Sequence, residues 1–174
     1  MTARHYAVAA VGSDRPGIVA ELTGALVDLG CNLRDVATSV LSGQFALVMV
    51  CDGPDGLGGG RLETDLRQRL AGSSLHLNAW DVDDIGPTPS PAYVLTVYGP
   101  DRPGIVHGIA AAVADLGVGI CDMSCRFQGD LYLLTMELDA PDSVTSDALD
   151  DAVAEACAQL GLEHSLNPME TAEL

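Results

Sequence analysis

The chain has 174 residues, 48% hydrophobic and 19% charged, which is enough apolar content for a core and excludes a disordered acidic segment. Twenty-five acidic residues face eight basic ones, every one an arginine, and the net charge of −17 excludes a protein that grips nucleic acid by its phosphates. Five scattered cysteines are no disulfide framework, and no apolar run reaches the roughly 18 residues that would span a bilayer.

Tyr6 to Val11 is a short apolar run stopped by Gly12, and it reads as a strand. It is too short for the apolar segment of a signal peptide, so the expected location is the cytoplasm. After Pro16, the residues Ile18, Val19, Leu22, Leu26 and Leu29 recur at helical spacing until Gly30. Residues 32–41 and 44–51 read as two strands turned at Ser42-Gly43, a hairpin signal. Leu62, Leu66 and Leu70 predict a helix over about 61–71, with a last strand at about 74–82. A Pro-rich polar run from Asp83 to Pro91 follows, with the stiffness of a short extended linker.

The order then begins again: strand 93–98, helix 104–116, strands 119–127 and 131–138, helix 145–160 and strand 162–168. Tyr6–Asp55 lies over Tyr93–Asp142 at an offset of 87 without a gap, with 18 identities in 50 positions. Six are consecutive, Asp14-Arg15-Pro16-Gly17-Ile18-Val19 over Asp101-Arg102-Pro103-Gly104-Ile105-Val106. The chain is therefore one unit written twice. Its predicted organisation is a first domain over 1–83, a linker over 84–91 and a second domain over 92–174. Strand, helix, strand, strand, helix, strand is the pattern of an α+β, ferredoxin-like sandwich with helices on one face of an antiparallel sheet. Units this small, with exposed sheet edges, favour side-by-side pairing and a homodimer. Charge divides unevenly: 6 basic and 11 acidic residues in 1–87, and 2 and 14 in 88–174, so a basic partner favours the second half.

The doubled strand-to-helix turn carries the most chemistry. Pro16 suits the first turn of a helix, Asp14 is placed to cap it, and Gly17 leaves the backbone open to a ligand. A helix N-terminus attracts a carboxylate and a nearby Asp holds an ammonium group, so the turn matches both charged ends of a free amino acid. The same residues also describe a turn that is merely well capped. Cys121 and Cys125 stand about 13 Å apart along a strand, too far to share a metal ion, and read as packing residues. No Ser–His–Asp or Cys–His arrangement is present to suggest an enzyme, and neither a metal nor a cofactor is expected. Asp147, Asp150, Asp151 and Glu155 read as a solvated helix face.

Gly-x-Asp-Arg-Pro-Gly-Ile-Val at the first helix, Gly30-Cys31-Asn32-Leu33-Arg34-Asp35 entering the second strand and Gln44–Met49 in the third resemble an ACT domain. The first half is similar to the glycine cleavage system transcriptional repressor family, two ACT domains in one chain, and to the regulatory domain of formyltetrahydrofolate deformylase. The resemblance implies a small ligand, usually an amino acid, at the first loop and the start of the second strand, often between two ACT units. It points to Asp14, Arg15, Gly17, Ile18 and Asn32, and in the second half to Asp101, Arg102, Gly104 and Ile105. Gly119 stands where Asn32 does and offers no amide, so the second site is expected to differ. His107, aligned with Ala20, either refills that site in part or lies on the surface.

The function implied is an amino-acid-sensing regulator, glycine being one candidate ligand, that acts by protein contact in glycine cleavage or one-carbon metabolism. Its transcriptional partner would be a separate DNA-binding protein, with no direct contact to nucleic acid or membrane. The alternatives are a ligand-free ACT assembly module and a deformylase-related protein without its catalytic domain.

Overall fold

Alternation turns Tyr6, Val8 and Ala10 to one side of their strand, where all three are fully buried. The computed structural model describes residues 4–83, 86, 90–129 and 131–169, the side chain of Gln128 excepted. In the first half, β1 (Arg4–Ser13) leads to α1 (Ile18–Asp28), β2 (Asn32–Leu41), β3 (Gln44–Gly53), α2 (Gly59–Arg69) and β4 (His76–Val82). The second half repeats this as β5 (Tyr93–Pro100), α3 (Ile105–Asp115), β6 (Gly119–Gln128), β7 (Leu131–Asp139), α4 (Ser146–Leu160) and β8 (Glu163–Pro168). Contacts divide the chain into two units, Met1–Gly86 and Pro87–Leu174. Of the predicted linker 84–91, all but Gly86, Ser90 and Pro91 lies outside the described residues.

Each unit holds one four-stranded antiparallel sheet, ordered β2-β3-β1-β4 and β6-β7-β5-β8. The fold is therefore the ferredoxin-like α+β sandwich, twice. Helices α1 and α2 bury Ile18, Leu22, Leu26, Leu62 and Leu66 in one cluster with Tyr6, Val8, Phe45, Leu47 and Met49. Burying each such side chain contributes about 1.5–3 kcal/mol. Ser42 (φ 51°) and Gly43 (φ 76°) both have positive φ, the two-residue turn that the right-handed twist of a hairpin favours. In both units a bulge interrupts the edge strand at one repeat position, between Leu33 and Asp35 and between Ile120 and Asp122.

Three sequence expectations are corrected. The helix begins at Ile18, with Gly17 rather than Asp14 as its N-cap, and Pro16 lies in the turn before it. Second, α2 covers Gly59–Arg69 rather than 61–71, because the amide and hydroxyl of Ser73 both donate to the Leu70 carbonyl, at 2.8 and 2.7 Å, and turn the chain away. Third, Cys125 is exposed and Cys121 half-buried, since β6 is an edge strand.

Burial, with neighbouring Cys31 adding to it, pushes the Cys51 thiol up to about 12. An acid raised above its unfolded value stabilises the fold fully below the unfolded pKa, about 8.5 for a thiol, and loses that contribution as pH rises toward the folded one. Urea midpoints should thus fall between pH 9 and 12, and Cys51→Val, which has no thiol to ionise, should show a shallower fall. Equal pH slopes for the two proteins would exclude Cys51 as a source.

Candidate ligand-binding site

The loop between β1 and α1 is held by the Asp14 amide, which donates to the Gly43 carbonyl at 2.9 Å and ties the loop to the β2–β3 turn. Gly17 adopts the left-handed region at φ 88°, which a side chain would strain, and a Cβ there would meet nothing within 4 Å. The first helical bond runs from the Glu21 amide to the Gly17 carbonyl, at 3.0 Å, so the amides of Ile18, Val19 and Ala20 belong to the unbonded first turn. No side chain caps α1, and Asp14, three residues before Gly17, is exposed. Arg15 is committed locally: its guanidinium forks onto Glu21, with Nη1 donating to Oε1 at 2.7 Å and Nη2 to Oε2. That pair holds the Glu21 carboxyl below its usual range. Ile18 and Ile105 are core residues, so only their backbones face the loops.

Asn32 is exposed but does not meet this loop. It pairs with Asp52, which pairs with His5, whereas the loop leaves the sheet at the row of Leu41, Gln44 and Ser13. Eight residues of β1 separate the rows, about 26 Å at the rise of a strand. The predicted constellation is therefore split between opposite ends of one sheet. Around Asn32 the structure adds residues that the sequence reading passed over. His5 Nδ1 lies 2.7 Å from Asp52 Oδ1, and Arg34, at the bulge, donates to the same oxygen at 3.5 Å. The repeat held a signal for them, since Ala92, Gly119 and Cys121 stand at the positions of His5, Asn32 and Arg34.

In the second unit, Asp101, Arg102 and Gly104 are exposed and Gly104 is again left-handed, at φ 96°. Tyr132, in place of Phe45, donates to Cys125 Sγ at 2.9 Å. Its phenol is pushed up to about 12, first by burial, then by the Cys125 contact and the nearby charge of Asp101. His107 is exposed. Among the described residues there is no cluster of three or more metal-ligand side chains, and no helix is long and apolar enough to cross a membrane.

One sandwich written twice, with the same glycine-opened helix start in each copy, defines a tandem ferredoxin-like module protein. The chain belongs to the ACT domain family, which matches residues 5–79 and 92–166. It is 37% identical over 54 residues to the glycine cleavage system transcriptional repressor of Escherichia coli (strain K12), covering 30% of this chain and 28% of that protein. It is 32% identical over 54 residues to a UPF0237 protein of Methanosarcina mazei, covering 31% of this chain and 59% of that protein. The chain thus spans less than two thirds of the length of these relatives. A solved structure of an unknown protein from Galdieria sulphuraria shares the fold over 97% of this chain and 100% of its own, with a TM-score of 0.81 at 22% identity.

Proposed function

We propose that the chain is a non-enzymatic regulator that binds a free amino acid and signals through contact with another protein. The observation that carries this reading is the exposed helix start at Gly17, repeated at Gly104, with Asp14 and Asp101 beside it. Unbonded amides there suit an α-carboxylate, and the aspartate suits an α-ammonium group. Because Asn32 lies at the far end of its own sheet, a ligand that touches both Asn32 and such a loop takes them from two different ACT units, of one chain or of two copies. Ligand binding would then favour one assembly over another and change the surface presented to a partner.

The likeness to a glycine cleavage repressor supports glycine or another small amino acid as ligand. It also supports a DNA-binding protein as partner, since a chain of net charge −17 is poorly suited to hold DNA itself.

Calorimetric titration of the full chain with the twenty amino acids tests the reading. A polar ligand group left without its partner loses about 1–3 kcal/mol, so Asn32→Gly should weaken binding roughly ten- to hundredfold. Gly119→Asn should strengthen the weaker site, because a Cβ at Gly119 comes no nearer than 3.7 Å to Asp139. Two equal sites, or an Asn32→Gly variant of unchanged affinity, would refute the assignment. Binding of no amino acid at all would leave an assembly module as the better description.

A further inference from the structure

We propose that a groove beside α1 in the first unit receives the C-terminal turn of an α-helix from a partner protein, a turn that ends in leucine. The inference does not rest on the amino-acid reading above. It rests on what the duplicated unit places at the same repeat positions.

In the second unit α4 has 15 residues, against 11 in α2, and this extra turn of helix carries Leu160 onto α3. Leu160 lies over Gly108, where a Cβ would come within 3.1 Å of its Cδ1. The helix ends at Gly161 in the left-handed conformation, φ 66°, and the Arg102 guanidinium lies against that end. Its Nη1 is 3.4 Å from where a Gly161 Cβ would stand. A cation there complements the negative end of the helix dipole. The second unit therefore fills the position with a leucine and a helix terminus held by an arginine.

In the first unit Gly72 and Ser73 replace Gln159 and Leu160, and the helical turn is missing. What remains is a groove of about 810 Å³ whose lining includes Arg15, Glu21, Gly24, Asp28, Arg69 and Leu70. Arg15 is the counterpart of Arg102. It pairs with Glu21, which stands where the second unit has Gly108 under Leu160, in an exposed pair that opens at little cost and frees both side chains from that position. Arg69 also lines the groove and has no ion pair among the described residues. Gly24 lets a helix backbone approach closely, since a Cβ there would meet nothing within 4 Å. A helix C-terminus thus finds two arginines for its carbonyls, set among the carboxylates of Glu21 and Asp28, and an apolar floor at Leu70 and Ala25 for its leucine.

The probe is a lactam-stapled, fluorescein-labelled peptide copying Ser146–Gly161, titrated into the full chain at physiological salt and read by anisotropy. Saturable binding is expected. It should fall at least tenfold in Gly24→Leu, a variant whose helix has room for the side chain, and equally with a peptide carrying Leu160→Ala. Arg15→Gln should weaken it severalfold, and Asp14→Ser, which does not line the groove, should leave it unchanged. Calorimetry with free amino acids on the same proteins keeps a failure of the ligand reading distinct from a failure here. No binding up to about 1 mM peptide overturns the proposal. So does a loss of less than tenfold in Gly24→Leu, which would place the peptide elsewhere, including in exchange with α4 itself. Loss of free amino-acid binding in Gly24→Leu without loss of peptide binding would also overturn it, by making the groove a small-molecule site.

Discussion

Gly59→Ala is expected to destabilise the first unit by about 3 kcal/mol, the upper range for overpacking a tight contact. A Cβ on Gly59 would stand 2.6 Å from both Cα and C of Trp80 and 2.7 Å from the Asp81 amide nitrogen. These are backbone atoms of β4, and no rotamer change relieves them. Instead α2 must lift from the strand, straining three polar links. The Gly59 amide donates to Asp81 Oδ2 at 3.0 Å, the Ala79 amide donates to Glu63 at 3.0 Å, and Arg67 Nη2 donates to the Leu77 carbonyl at 2.6 Å. The internal control is Ser146→Ala, at the same repeat position. Ser146 is exposed, and α4 is capped by the preceding Thr145, whose hydroxyl accepts from the Ala148 amide at 3.2 Å. That substitution should stay within about 0.5 kcal/mol. Urea unfolding of the two variants reads the difference directly, and similar midpoints would mean that α2 is not pinned to β4 as described.

Element order was legible because the chain states it twice. At an offset of 87, a short run such as Tyr6–Val11 is matched by Tyr93–Tyr98, whose β-branched and aromatic content settles its type. Strand ends were less legible, since β1 extends to Arg4 and Ser13 through pairing with Gly53 and Gln44, which are remote in sequence. The site was legible by residue type and not by geometry. Asp14 carries the strongest capping preference in its segment, yet a left-handed glycine three residues later begins the helix, and propensity does not reveal that competition. The distance between Asn32 and the loop depends on strand direction, which two residues near opposite ends of parallel-running strands do not disclose. The Arg15–Glu21 pair was not legible, because the two stand six residues apart and meet only once the turn folds back onto the first helical turn. The groove beside α1 depends on Gly72 and Ser73, two residues whose meaning shows only against Gln159 and Leu160 in the copy.

Asp14→Ser is expected to leave the melting temperature of the ligand-free protein nearly unchanged and to remove about half or more of the rise that an amino-acid ligand produces. Since the Asp14 side chain caps nothing in α1 and is exposed, the substitution forfeits no helix-capping bond, and the loop anchor from its amide to Gly43 is retained. Any loss therefore concerns the ligand. A hydrogen bond to a charged group is worth about 1.5–3 kcal/mol, so affinity should fall roughly ten- to hundredfold. At a ligand concentration one hundred times the wild-type Kd, linkage gives about 2.7 kcal/mol of stabilisation, and the same concentration would give the variant only about 0.4–1.4 kcal/mol. Gly17→Val is a poorer probe of the same site, because at φ 88° a β-branched residue strains the helix start and mixes a folding cost into the binding loss. Thermal melts of wild type and Asp14→Ser, with and without ligand, separate the two roles. An unchanged ligand response in Asp14→Ser would reduce the Asp-Arg-Pro-Gly loop to a structural turn and leave the protein an assembly module.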